Sequence, residues 1–169
     1  LATPTAVTVG IGRAAEYGIL IKNGDTLETS GDVNVAAFDK TGTITEGKPQ
    51  VDDIISYDFD EDKLVQYVAS VENNSQHPIA KAIVNKANDL NIELISTEDF
   101  ENITGKGIKS VVDDKQVLVG NLSLLNDEKI KINQDVLRIY EKLVDENKTV
   151  IFLVVDEGIV GILTLVDKI

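Results

Sequence analysis

Seven residues, Asp39-Lys40-Thr41-Gly42-Thr43-Ile44-Thr45, follow directly on the apolar run Val33-Asn34-Val35-Ala36-Ala37-Phe38. A short apolar run of this kind predicts a buried β-strand. Asp39 then falls at the C-terminal end of a strand, where open parallel α/β sheets carry their chemistry. A carboxylate there can attack phosphorus, and the ammonium of Lys40 can offset negative charge. The Thr and Gly residues let hydroxyls and backbone N–H groups turn towards a phosphate. Each residue alone has a plainer reading, since an Asp after a strand is often only a turn former or helix cap. The whole string in that position points to phosphoryl transfer.

The string is the phosphorylation signature of P-type ATPases, and the chain resembles that family from end to end. The resemblance implies that Asp39 is the nucleophile that becomes an aspartyl phosphate, with Lys40 and Thr41 beside it. Related phosphatases of the haloacid dehalogenase group carry a second Asp two positions after the first, as a general acid/base. Thr41 cannot do that work near neutral pH, so the phosphoaspartate should persist. A long-lived acyl phosphate suits an enzyme that couples it to a conformational change. Transfer from ATP is mostly positioning and charge stabilisation, so Mg²⁺ is implied. By the resemblance, its protein ligands here are Asp39 and the backbone carbonyl of Thr41, with retained waters. The family's later Gly-Asp-Gly-x-Asn-Asp segment, which supplies a further Asp, does not occur here, so the resemblance implies a fragment.

Net charge is −13, which argues against a nucleic-acid partner. Any nucleotide site must create local positive potential against that field. There is no Cys, no Met and one His, so a transition metal carried as cargo must bind elsewhere in the parent protein. No stretch has the length of a membrane span. The expected setting is the cytosolic portion of an integral membrane protein.

The expected organisation has four parts. Residues 1–18 form a helical stalk beginning near Pro4, and residues 19–48 form the first part of a phosphorylation domain. Residues 49–157 form a nucleotide-binding domain, and residues 158–169 a return strand. Ile19-Leu20-Ile21-Lys22 predicts a short strand, Thr26–Ser30 a helical turn, and Val51–Tyr57 a strand. Leu64, Tyr67, Val68 and Val71 recur at helical spacing across residues 61–73, and Ile79, Ala80, Ile83, Val84 and Ala87 across 78–90, with Pro78 in a first turn. Strands follow at 100–103, 108–112 and 116–119, with Asp113-Asp114 as a hairpin turn. A third helix spans 135–146, and a strand pair spans 149–155 and 159–166. The middle unit therefore reads as an inserted α+β domain, an antiparallel sheet flanked by helices, and the resemblance implies that it is carried by a haloacid-dehalogenase-like parallel α/β domain. Two connections, near Gly47 and near Gly158 to Gly161, would act as a double hinge.

Ser75-Gln76-His77-Pro78 is the second informative motif. It is similar to the Ser-x-His-Pro motif of heavy-metal P-type ATPases, whose His orients adenine; Gln76 stands where Glu is commoner. Without that context His77 reads as a helix cap ahead of Pro78. The resemblance further implies Glu72 at the exocyclic amine, Gly105 and Gly107 as close backbone contacts, and Ile108 over the ring. Gly120 and Asn121 would lie near ribose and phosphates. ATP and Mg²⁺ are thus the implied cofactors, and the partners are the pump's remaining domains. Leu1-Ala2-Thr3-Pro4-Thr5-Ala6-Val7 and Gly18-Ile19-Leu20-Ile21-Lys22 resemble the copper(I)-exporting branch. A zinc or cadmium pump, a haloacid-dehalogenase-like phosphatase and a non-enzymatic nucleotide-sensing module remain the alternatives.

Overall fold

The computed structural model describes residues 2–167, with only the backbone of residues 2, 3, 40 and 41. Leu1, at the head of the copper-like segment, lies outside the described residues. The chain divides into two compact units, Leu1–Asp39 and Lys40–Ile169.

In the first unit, helices α1 (Ala2–Glu16) and α2 (Gly24–Ser30) pack together. Asn23 opens α2 by accepting the Thr26 N–H at 2.9 Å, which satisfies a donor that has no partner inside the helix. Neither predicted strand of this unit forms. Residues 19–22 and 33–39 are irregular, and Val35 and Phe38 are 86% and 70% exposed. A strand exists through hydrogen bonds to a neighbour, and no described strand pairs with either run. Apolar pattern alone does not supply that neighbour.

The second unit is built on one antiparallel sheet. Its strands are β1 (Pro49–Ser56), β2 (Glu98–Ile103), β3 (Gly107–Val112), β4 (Lys115–Gly120), β5 (Thr149–Val155) and β6 (Gly158–Asp167). The spatial order is β1-β6-β5-β4-β3-β2. Helices α3 (Glu61–Glu72) and α4 (Pro78–Asp89) lie between β1 and β2 in the chain, and α5 (Leu122–Asp127) and α6 (Gln134–Asp145) between β4 and β5.

The two helix pairs belong to different cores. Leu64, Val68, Val71 and Ile83 of α3 and α4 pack with Ile151, Leu153, Val155 and Leu163. Leu125, Val136 and Leu143 of α5 and α6 pack with Val150, Phe152, Val154 and Ile162. Successive strand residues point to opposite faces, so β5 is apolar without interruption because both of its faces are covered. In β3 only alternate residues are fully buried.

The hairpins follow local rules. Asp113 and Asp114 both take positive φ, as do Asp156 and Glu157. Two-residue turns of that hand match the twist of the strands they join. The division expected after residue 157 falls inside the second of these turns. β6 runs unbroken between β1 and β5, so residues 158–167 are part of the sheet and not a separate return segment. The connection placed near Gly158 to Gly161 moves accordingly to the end of β6, where Asp167 pairs with Pro49. No described helix is long and apolar enough to cross a membrane.

Phe152 is fully buried, with its ring 5.6 Å from that of Tyr140 on α6. Phe152→Ala should cost about 3–5 kcal/mol. Urea unfolding of the purified chain checks this, and a loss below about 1 kcal/mol would show that α6 is not held through this strand.

Candidate functional site

A cavity of about 380 Å³ opens between the start of α4, the β2–β3 loop, the end of β4 and the start of β5. Glu72, His77, Gly105, Gly107, Ile108, Gly120 and Asn121 all line it. These residues come from four separate places in the chain, and the fold brings them together. Its size is within the usual range for small-molecule sites.

Glu72 ends α3 and is 8% exposed. Burial disfavours the charged carboxylate and pushes its pKa up to about 7, against the opposing pull of a hydrogen bond from Ser75. His77 caps α4: its Nδ1 accepts the Ile79 N–H at 3.2 Å, and Ser75 Oγ accepts the His77 N–H at 3.3 Å. The cap and the cavity position are therefore compatible. Because Nδ1 accepts, Nε2 carries the ring proton and is the atom left to donate to a ligand.

The cavity floor is backbone. Gly107 and Gly120 face each other across β3 and β4. A Cβ on Gly107 would lie 2.2 Å from the Val119 carbonyl oxygen, and one on Gly120 would lie 2.4 Å from that of Lys106. No side chain fits between these strands, so a ligand can approach main chain directly. Ile108 is 3% exposed and supplies an apolar edge. Asn121 caps α5 through Oδ1, accepting the Leu124 N–H at 3.1 Å, and its Nδ2 donates to the Gly105 carbonyl at 2.9 Å. It fixes the glycine loop to α5.

Lys106, Ser75 and the β5 residues Thr149, Val150 and Ile151 also line the cavity and escaped the sequence analysis. Lys106 stood inside Gly-Lys-Gly and could have been found there. The β5 residues had no local signal, because only strand pairing places them.

The Asp39–Thr45 string is arranged differently. Asp39 is exposed and belongs to the first unit. Lys40–Ile44 form one wide π-helical turn. The side chains of Lys40 and Thr41, expected beside the nucleophile, lie outside the described residues. Thr45 is buried; its Oγ1 accepts the Gly42 N–H at 3.3 Å and donates to Asp167. The other Asp167 oxygen accepts the Lys48 N–H at 2.9 Å. Asp167 thus ties Thr45, the last residue of the string, and Lys48 to the end of β6. Sequence analysis missed it, since 122 residues separate it from Thr45. Among the described residues no three His, Cys, Asp or Glu side chains gather as a metal site.

Residues 33–168 match the model of the haloacid dehalogenase-like hydrolases, and the chain belongs to that family. Within it, the chain is similar along its whole length to metal-transporting P-type ATPases. It is 42% identical over 100% of its length to a copper-exporting P-type ATPase of Staphylococcus saprophyticus, covering 21% of that protein. It is 45% identical over 99% of its length to a probable copper-exporting P-type ATPase of Archaeoglobus fulgidus, covering 20%. The chain therefore spans about a fifth of these relatives. Among solved structures, a zinc-transporting PIB-type ATPase in the E2.Pi state matches 99% of this chain and 27% of its own, at 34% identity and a TM-score of 0.77. The isolated N-domain of a copper-transporting P-type ATPase matches 68% of this chain and 97% of its own, at 31% identity and a TM-score of 0.58.

Glu72 gives a pH signature. Its native pKa of about 7 lies above the ordinary 4.5, so between these values the folded chain binds more protons than the unfolded one. This contribution to stability is fully present below about pH 4.5, falls as pH rises to 7, and is flat above. Glu72→Gln should abolish the fall and raise stability at pH 8 by roughly 3 kcal/mol. Chemical denaturation at pH 5 and 8 checks it; an unchanged difference between the two pH values would place the titration elsewhere.

Proposed function

We propose that this chain is the nucleotide-binding and phosphorylation region of a copper(I)-exporting P-type ATPase. The observation that carries the reading is the shared cavity of Glu72, His77, Gly105, Gly107, Ile108, Gly120 and Asn121. They were singled out as nucleotide contacts, and one wall after another of a single pocket is made from them. Adenine fits the chemistry of this pocket. The Glu72 carboxylate accepts from the exocyclic amine, the His77 Nε2–H donates or its ring stacks, and Ile108 supplies an apolar contact. The bare backbone at Gly107 and Gly120 leaves room for the sugar side. Residues 49–167, one sheet with its helices, form the nucleotide-binding unit in this reading.

Asp39 is the nucleophile. Its carboxylate oxygen forms a bond to the γ-phosphorus as the bond to the bridging oxygen breaks, and ADP leaves. The Asp39 carboxylate and the Thr41 carbonyl are hard oxygen donors of the kind that hold Mg²⁺ with waters. When bound, that ion neutralises charge on the transferring phosphoryl group. Thr41 offers no acid/base group for hydrolysis, so the acyl phosphate outlasts the transfer step. The paired connections at Pro49 and Asp167 serve as the hinge between nucleotide unit and nucleophile. The rest of the pump supplies strand partners for residues 33–38, the remaining phosphate-side groups and the path for the metal. In this reading the chain is a cytosolic portion of a membrane protein. Copper is favoured because curated relatives at 42% and 45% identity over nearly the whole chain are copper-exporting and probable copper-exporting ATPases.

In the full-length protein containing this chain, Asp39→Asn should abolish copper-stimulated phosphoenzyme while ATP binding persists. The amide keeps the shape and loses nucleophilicity. Labelling with γ-labelled ATP tests it, and acid-stable phosphoenzyme formed by the variant would overturn the reading. Stimulation by zinc but not copper would overturn the choice of metal alone.

His77→Gln should weaken ATP binding by the isolated chain several-fold and leave its melting temperature within a few degrees. Calorimetry and a thermal melt separate the two effects. A large fall in melting temperature with affinity intact would reduce His77 to a helix cap.

A further inference from the structure

Among the described residues, Lys106 is the one lining residue of the cavity with a permanent positive charge. It projects from a loop whose backbone is held on both sides: its N–H donates to the Ile103 carbonyl and its carbonyl accepts the Asn121 N–H, each at 2.9 Å. Its ammonium is paired with the carboxylate of Asp127, and the two side chains are 37% and 48% exposed. Asp127 ends α5, the helix whose cap, Asn121, also holds the Gly105 carbonyl. One clamp therefore carries both members of the pair. The neighbouring Glu128 is engaged by Lys109 at 2.6 Å and does not compete for Lys106.

We propose that Lys106 recognises the phosphates of a nucleotide in this cavity, and that Asp127 is its resting counter-ion, displaced when the phosphates arrive. The inference rests on the reading that the cavity takes a nucleotide. The physical case is an exchange of partners. An exposed lysine–carboxylate pair contributes little in water and opens readily. A polyphosphate carries more charge than one carboxylate and accepts several charge-assisted hydrogen bonds. Asp127, once released, remains solvated and incurs little cost. A chain of net charge −13 repels an anionic ligand, so a single well-placed cation has a large share of the work of receiving it. Asp127 also keeps Lys106 neutralised when the cavity is empty. That discourages stray anions from binding, so phosphate affinity and selectivity are set by the same pair.

The test is a double-mutant cycle on the purified chain by calorimetry, with ATP, ADP and adenosine as probes at low ionic strength. Lys106→Gln should weaken ATP and ADP by roughly three- to tenfold, affect adenosine far less and flatten the salt dependence. Asp127→Asn should tighten ATP by about threefold, and this gain should vanish when Lys106→Gln is also present. Lys106→Arg should retain most ATP affinity. An equal loss for adenosine and ATP in Lys106→Gln would overturn the proposal, because the lysine would then be shaping the pocket. So would an Asp127→Asn gain that survives without Lys106. If the unaltered chain binds neither adenosine nor ATP, the nucleotide reading fails first, and the inference fails with it.

Discussion

The covering of β5 and β6 on both faces is the constraint from which the rest of the second unit follows. A sheet apolar on both sides has to be sandwiched. The chain does this with two helix pairs, inserted after β1 and after β4. The first pair ends α3 and starts α4 at the same end of the sheet, which delivers Glu72 and His77 side by side. The second pair begins with α5 beside the end of β4, which delivers Gly120 and Asn121. The cavity lies where these two insertions meet the β2–β3 loop. It is a consequence of how the core is closed as well as of the residues that line it.

Within that frame the site spends stability on chemistry. Glu72 is buried at a cost that raises its pKa to about 7, although Ser75 offsets part of it. A carboxylate so placed is desolvated before any ligand arrives, and a donor group that meets it strengthens more than it would at the surface. Gly107 and Gly120 lose side-chain packing to bring two strands' backbones together at the floor. Both features are unfavourable for folding alone, and departures of that kind gather where a chain keeps a site.

Asp167 links the two ends of the second unit. It accepts from the Thr45 hydroxyl, at the end of the Asp39–Thr45 string, and from the Lys48 N–H. Pro49 and Asp167 are register partners, so the strand that begins the sheet and the one that ends it leave at the same corner. One carboxylate thus fixes both Thr45 and Lys48 at the corner where β1 begins and β6 ends.

Sequence alone determined the family, helices α3, α4 and α6 and most strands of the second unit, and seven of the residues around the cavity. Those features are carried by local signals: Asp39 to Thr45, Ser75 to Pro78, the glycines, and periodicity from Leu64 to Ala87. Turn chemistry at Asp113-Asp114 was legible for the same reason. Tertiary structure decided what depends on distant partners. Val33–Phe38 has a strand's composition, yet no described strand pairs with it, and hydrogen bonding to a neighbour cannot be read from one segment. β6 was read as a strand paired with β5, but its second partner was not legible, because pairing with β1 across more than a hundred residues leaves no mark in local pattern. α5 was too short for periodicity to reveal, although Asn121 is a good cap. The same limit hid Asp167 and the Lys106–Asp127 pair. Their chemistry lies in a juxtaposition, and folding creates it.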